Sequence, residues 1–169
     1  MIKDWEVKPL GKVGTYREGK VRFDLFDMDI PVNLFEEEVT EEYAEKCAEA
    51  MNSMSPELVD RICRAAKLYC ITFCDEIGED LSDEMTVPIN EDTPASEVMK
   101  CIRPVGLCID TPCDPSKIGY QIEFDCDWEI EHGMEVDILD GELVYLSAYN
   151  GEGPWDGPYE EDWNYVNGI

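Results

Sequence analysis

Residues 120–129 alternate without interruption between apolar and polar side chains. The apolar positions are Tyr120, Ile122, Phe124, Cys126 and Trp128, and the polar positions are Gln121, Glu123, Asp125, Asp127 and Glu129. Because successive side chains of a strand point to opposite faces, this pattern predicts a strand with one buried face and one polar face. Such a strand needs neighbouring strands and a second layer that covers its apolar side.

Other segments predict the rest of the sheet. Residues 134–138 alternate in the same way, and Asp140-Gly141 is a strong signal for a two-residue hairpin turn before an apolar strand at 143–146. Shorter strands are predicted at 85–87 and 105–109. Near the start of the chain, strands are predicted at 13–16 and 21–25, joined by a turn at 17–20, with a bulge near Leu25 before the strand continues to Ile30.

Two helices are predicted between these groups of strands. Thr40 is a suitable N-cap for the first, and Ser55-Pro56 predicts the start of a second helix that ends at Gly78. A short helix is predicted at 94–102. Residues 150–169 are acidic and aromatic, and are predicted to be either an ordered tail or a loosely attached one. The sequence therefore predicts one α+β domain over residues 1–169, in which N- and C-terminal strands form an antiparallel sheet with the two-helix segment packed on it.

Acidic side chains dominate the composition. The 169 residues contain 40 Asp and Glu against 13 Lys and Arg, which gives a formal net charge of −27. Lys117 is the last basic residue, and residues 118–169 carry 14 acidic side chains and no Lys or Arg. We therefore expect no nucleic-acid binding, since phosphate neutralisation needs Lys and Arg. We also expect no docking on an anionic membrane.

Eight cysteines accompany an N-terminus that lacks the features of a targeting signal. Residues 1–8 include charges where a secretory signal has its apolar run, and no apolar stretch approaches the length of a membrane span. These features predict a cytoplasmic protein with reduced thiols rather than a disulfide framework.

The polar face of the 120–129 strand is the main candidate for a binding surface. Its acids are Glu123, Asp125, Asp127 and Glu129, and Glu135 and Asp137 on the next strand could share the face. Like charges at this density repel one another unless a cation neutralises them. We predict a docking surface for a basic protein, with two alternatives: a weak divalent-ion site without an EF-hand loop, or a solvated sheet face.

An enzymatic alternative rests on Cys126, Glu131 and His132, with Trp128 in the same cleft. His132 is the one histidine, and a Cys–His pair can form an activated nucleophile. Against this, Cys126 falls on the apolar side of its strand, and its acidic neighbourhood would raise the pKa of the thiol. A structural histidine at a strand turn is the other interpretation.

The remaining cysteines offer a weaker metal hypothesis. Three of them lie on one side of the second helix and a fourth could face them; these are Cys63, Cys70, Cys74 and Cys47. Four thiolates can hold zinc, although no C-x-x-C pair is present and cysteine is also a common small core residue. Cys108 and Cys113 form a second weak pair. No cofactor is predicted, because phosphate-loop and hydrolase motifs are also absent from the sequence.

The segments 94–104, 126–133 and 140–144 resemble a family of uncharacterised bacterial proteins. The mark of that family is a C-x-W-x-x-E-H-G segment, here Cys126 to Gly133, that ends a strand and precedes a hairpin. The resemblance covers residues 94–150 and leaves the N-terminal half outside. It implies a small cytoplasmic protein, and some members look like candidates for immunity proteins that neutralise toxins. It implies no catalytic role for Cys126, Glu131 or His132.

These observations lead to one preferred hypothesis. The chain is expected to be a non-enzymatic, acidic binding protein that covers the basic surface of a protein partner. A concrete case is an immunity protein against a cationic toxin. Electrostatic complementarity of this kind speeds the encounter of two proteins and weakens as salt rises.

Overall fold

The computed structural model describes residues 1–12, 14–78, 81, 85–159 and 163–169. Seven strands form one sheet in the order of the chain: β1 (Lys3–Leu10), β2 (Gly14–Phe23), β3 (Met28–Leu34), β4 (Ile102–Cys108), β5 (Gly119–Cys126), β6 (Met134–Leu139) and β7 (Glu142–Ser147). Neighbouring strands are antiparallel except β3 and β4, which are parallel. The predicted α+β class is thereby confirmed.

Two α-helices lie between β3 and β4 in the chain, at the positions that the capping signals predicted. Helix α1 (Glu41–Asn52) begins where the Thr40 hydroxyl accepts a hydrogen bond from the Tyr43 amide at 3.2 Å. Helix α2 (Pro56–Ile77) begins with the same type of bond from the Leu58 amide to Ser55, and ends at Gly78 with a φ of 67°. Local capping chemistry decides both boundaries, which is why the sequence predicted them well.

The N-terminal prediction was wrong about the hairpin turn. Residues 14–23 form one continuous strand, and the turn lies at Gly11-Lys12, between the unpredicted strand β1 and β2. Gly19 lies inside β2, and only glycine fits there because a Cβ would approach Ile2 and Trp5 to 2.6 and 3.0 Å. Its lack of a side chain serves close packing across the strands, and the local pattern could not distinguish this from a turn.

Smaller differences affect the later segments. Residues 85–87 form bends rather than a strand, and the short helix predicted at 94–102 is a 3-10 helix, Ala95–Lys100. The bulge expected near Leu25 is a 3-10 turn, Asp24–Phe26, between β2 and β3. Strand β5 ends at Cys126, so Asp127 and Glu129 lie in the following loop. Asp140 and Gly141 both have positive φ, as a tight hairpin turn requires.

The hydrophobic core lies between the sheet and the helices. Trp128 packs edge-on against Tyr69 of α2, with ring centroids 5.7 Å apart, and both side chains are almost fully buried. The other face of the sheet is covered in part by the C-terminal tail. There Gln121 donates a hydrogen bond to the carbonyl of Glu152 at 2.6 Å, and Trp155 packs against Gly119. The described part of residues 150–169 is therefore attached to the domain.

At the sheet edge, the tail also contacts the backbone of β7. The side-chain amide of Asn164 donates to the Val144 carbonyl at 2.8 Å and accepts from the Leu146 amide at 3.3 Å. An exposed edge strand would otherwise present these groups to another chain. None of the helices in the described residues combines the length and the apolar character needed to cross a membrane.

Candidate functional site

The acidic face predicted from the alternation of residues 120–129 is largely an internal surface. Glu135 and Asp137 do share a face with Glu123, because Glu123 pairs with Glu135 and Gln121 pairs with Asp137. However, Glu135 and Asp137 are 0% exposed, and Glu123 is half-buried. Glu135 and Asp137 are therefore not accessible to a partner, and alternation could not show this because it cannot tell a solvated face from one covered by a tail.

The tail provides hydrogen bonds to these carboxyl groups. The backbone amide of Asn150 donates to Oε2 of Glu135 at 3.1 Å, and the Tyr159 hydroxyl donates to Oδ2 of Asp137 at 3.2 Å. One oxygen of each carboxyl group, Oε1 of Glu135 and Oδ1 of Asp137, is buried without a hydrogen-bond partner among the described residues. Burial raises the pKa of Glu135 to about 7 and that of Asp137 to about 8. Neutral carboxyl groups make such burial tolerable.

The remaining predicted acids have separate roles. Asp127 accepts a hydrogen bond from the Thr86 amide at 2.8 Å and lies 3.5 Å from Arg103, so its charge is largely compensated. Glu129 is buried, with its carboxylate oriented towards the turn that follows. Asp125 is the member of the original set that stays exposed on β5. The six acids therefore do not form one continuous surface.

The turn after β5 explains the spacing of the C-x-W-x-x-E-H-G segment. The Glu129 carboxylate accepts hydrogen bonds from the amides of Glu131 at 2.9 Å and His132 at 3.0 Å, and lies 3.3 Å from Nδ1 of His132. Gly133 has a φ of 72°, and a Cβ there would lie 2.4 Å from the carbonyl oxygen of Phe124. Glycine is therefore required at this position, and the buried Glu129 holds the exposed Glu131 and His132 in place.

A groove of about 520 Å³ opens beside this turn. Its aromatic lining comes from α2, the turn and the tail, and consists of Tyr69, Phe73, Trp128, Trp163 and Tyr165. Ring centroids of Tyr69 and Tyr165 lie 5.0 Å apart in a stacked arrangement. Ile130 is 88% exposed and Trp163 is 55% exposed at its border, and two exposed apolar side chains beside one aromatic groove favour a binding surface.

Negative charges surround the groove. Its lining includes the carboxylates of Glu76, Asp127, Glu129 and Glu131, together with His132, and no Lys or Arg among the residues described. Glu76 and Glu131 are exposed, and no ion pair is found for either within the described ranges. The groove therefore combines aromatic faces with two free negative charges, which suits a cationic group with apolar surroundings.

Two polar atoms of the groove residues lack hydrogen bonds. The Tyr69 hydroxyl and the indole nitrogen Nε1 of Trp128 are both buried, and neither has a partner among the described residues. Beyond Trp163 the groove adjoins a second hollow of about 320 Å³, lined by residues of β7 and the tail.

Only two of the three catalytic candidates, Glu131 and His132, lie at the cleft predicted for an enzyme. Glu131 and His132 lie at the groove, but the Cys126 thiol is 2% exposed and donates to the Glu129 carbonyl at 3.3 Å. Burial raises the pKa of Cys126 to about 12, which disfavours the thiolate a nucleophile needs. The geometry gives the catalytic hypothesis no nucleophile at this position.

Metal binding likewise finds no support in the geometry. Within the described residues, no three or more His, Cys, Asp or Glu side chains converge as metal ligands would. Cys47 donates to the Gly119 carbonyl at 3.5 Å, and Cys70 to the sulfur of Met85 at 3.9 Å, so these two thiols have separate surroundings. All eight cysteines are described, and none forms a disulfide.

The sequence predicted a second helix, which contains Tyr69 and Phe73, and an aromatic tail, which contains Trp163, without a link between them. Their aromatic character was visible, but no spacing along the chain shows that α2, the turn and the tail meet. Tyr69 and Phe73 are four residues apart on one helix face, and this was the one local signal of a shared surface.

Comparison with known proteins yields one family. The model of a domain of unknown function, DUF6985, matches residues 5–153. The match confirms membership in an uncharacterised family, and extends beyond the 94–150 resemblance to the N-terminal strands and both helices. No curated protein and no solved structure matches the chain.

Proposed function

Since the chain belongs to the DUF6985 family of domains of unknown function, we propose its function from the site alone: it binds a cationic protein through the aromatic groove and its acidic rim. The observation that carries this proposal is the combination of exposed Ile130 and Trp163 with the free carboxylates of Glu76 and Glu131. Hot spots of protein interfaces are enriched in aromatic side chains, and the rim of such interfaces is polar.

The overall charge supports a basic partner. A net charge of −27 creates a field that attracts positively charged proteins over several ångströms, and this attraction raises the association rate. The field arises from the whole chain, whereas the groove supplies the specific contact. The preferred contact surface thus moves from the covered face of β5 and β6 to the groove beside α2.

We include two finer points in the proposal. The protein works in the cytoplasm, which its eight cysteines support because none is in a disulfide. A concrete role is that of a bacterial immunity protein, which covers a basic toxin and so prevents its action. The acidic groove supports that role because covering a basic surface requires complementary charge.

The test is an affinity capture from the source cells with two charge-reversed variants. Glu76→Lys with Glu131→Lys reverses both exposed rim charges. Glu38→Lys with Glu49→Lys produces the same change in net charge at exposed positions outside the groove. We expect wild type and the Glu38/Glu49 variant to retain a basic protein at low salt, and the Glu76/Glu131 variant to lose it.

The association rate of the captured protein then gives the quantitative result. We expect the Glu76/Glu131 variant to associate at least about tenfold more slowly than the Glu38/Glu49 variant at low salt, with the difference reduced at high salt. Equal rates for the two variants, or a captured partner with no basic surface, would overturn the proposal.

A further inference from the structure

The polar groups of the groove restrict its occupant beyond the sign of the charge, because each group can form only certain hydrogen bonds. Trp128 Nε1 and the Tyr69 hydroxyl are buried, so an occupant of the groove does not reach them. The exposed carboxylates of Glu76 and Glu131 accept only when ionised. An occupant that pairs with both carboxylates must therefore carry several N–H donors.

The aromatic lining restricts the occupant further. Five aromatic side chains surround the groove, and Trp163 presents a large part of its ring to solvent. A planar cation can stack on such a ring while its edges donate hydrogen bonds to carboxylates. A lysine ammonium is a compact, strongly hydrated charge, and lacks this flat surface.

We propose that the groove receives an arginine side chain of the cationic partner, which stacks on the aromatic lining and pairs with Glu76 and Glu131. This inference rests on the proposed function and names the anchor of that interaction. The volume of about 520 Å³ leaves room for the side chain and its flanking peptide groups.

Electrostatics favour this occupant over a neutral or anionic one. The groove lining has four carboxylates and no Lys or Arg among the described residues, so an anion would meet repulsion. Glu129 is engaged by the backbone of the turn, and Asp127 lies near Arg103. Glu76 and Glu131 are consequently the two groups that remain available for a guanidinium.

The experiment uses three short peptides and the indole N–H signals of the intact protein. The probes are acetyl-Ala-Arg-Ala-amide, the same peptide with citrulline, which is a neutral isostere of arginine, and the same peptide with lysine. Signals are assigned with single Trp→Phe variants. Trp5 and Trp155 do not line the groove and provide internal controls.

We expect the arginine peptide to shift the signals of Trp128 and Trp163 saturably, at concentrations up to about 20 mM for a single anchor residue. The citrulline peptide should cause no saturable shift, and the lysine peptide should bind at least about threefold more weakly. Glu76→Gln with Glu131→Gln should weaken arginine binding about fivefold or more, whereas Glu38→Gln with Glu49→Gln should not.

An absence of saturable shifts with arginine, or equal binding of citrulline, would overturn the inference. The two proposals fail separately. Groove-dependent capture of a basic protein without arginine binding would refute the anchor and leave the proposed function standing. Arginine binding without any groove-dependent protein partner would refute the proposed function instead.

Discussion

The hydroxyl of Tyr159 donates a hydrogen bond to Oδ2 of Asp137 over 3.2 Å, and so joins the C-terminal tail to a carboxyl group without solvent exposure. Glu135 lies two residues earlier on the same face of β6, and its proximity further raises the pKa of Asp137. Asp110 contributes to the same effect from the loop that follows β4. Protonation of these groups is therefore coupled to the packing of the tail.

The first prediction concerns the pH dependence of stability. Burial raises the pKa of Asp137 to about 8 and of Glu135 to about 7, above the unfolded-state values near ~4. Between pH ~4 and pH ~8, the folded protein therefore binds more protons than the unfolded chain. The stabilising contribution is complete below pH ~4 and decreases as pH rises, with a slope of about 1.4 kcal/mol per pH unit per group.

Urea unfolding of wild type and of Asp137→Asn with Glu135→Gln between pH 5 and 8 measures this effect. We expect the free energy of unfolding of the double variant to rise relative to wild type as the pH increases. Asp125→Asn, at an exposed position of β5, is the matched control and should give a constant difference. A pH-independent difference for the double variant would contradict the assignment of neutral carboxyl groups.

The second prediction compares two glycines with positive φ. Gly141, in the hairpin turn, has a φ of 83° and open space where an alanine Cβ would lie, so Gly141→Ala should cost about 1 kcal/mol. Gly133→Ala has the same backbone cost, and its Cβ would also meet the Phe124 carbonyl oxygen at 2.4 Å. We expect the Gly133 variant to lose at least about twice as much stability in chemical denaturation. Equal losses would show that this close contact relaxes easily.

The third prediction concerns the covered edge of β7. Asn164→Ala removes two hydrogen bonds to the backbone of Val144 and Leu146, and should lower the free energy of unfolding by about 1–3 kcal/mol. Asn164→Asp keeps the acceptor but loses the donor to Val144, and should be destabilising as well. Urea unfolding at neutral pH measures both. A loss below about 0.5 kcal/mol for the alanine variant would contradict an energetic role for this contact.

The fourth prediction separates structural from reactive thiols. Cys113 is exposed, whereas Cys126 is buried and its pKa is raised to about 12. A thiol reagent at pH 8 should therefore label Cys113 rapidly and Cys126 only on unfolding. Mass spectrometry of the labelled peptides, with Cys113→Ser as control, measures both rates. Rapid labelling of native Cys126 would contradict its burial and would support the enzymatic alternative.

Features that depend on contacts between residues close together in the sequence were predicted, whereas features that depend on distant residues were not. The boundaries of α1 and α2 depend on Thr40, Ser55 and Gly78, which act within one helical turn, and these were predicted. The role of Gly19 depends on Trp5 across the sheet, and a local pattern misread it as a turn residue. Sheet membership of β5 was clear, whereas its length was not, because Asp127 and Glu129 continue the alternation beyond the strand.

The candidate site illustrates the same limit more strongly. Alternation placed Glu123, Glu135 and Asp137 on one face, which was right, but no local feature showed that the tail covers it. The groove needs α2, the turn after β5 and the tail to meet, and their aromatic side chains are far apart in the chain. The E-H-G turn was recognised from the sequence, although its purpose became visible only through the buried Glu129.

The parallel junction between β3 and β4 has a consequence for how the chain reaches this state. Val32 of β3 pairs with Leu107 of β4, although both helices separate these two strands along the chain. Pairs so distant along the chain form late, since closing a long loop costs entropy before any contact compensates for it. The N-terminal three-stranded segment should consequently join a C-terminal meander that is already assembled, making this seam the kinetic bottleneck of folding.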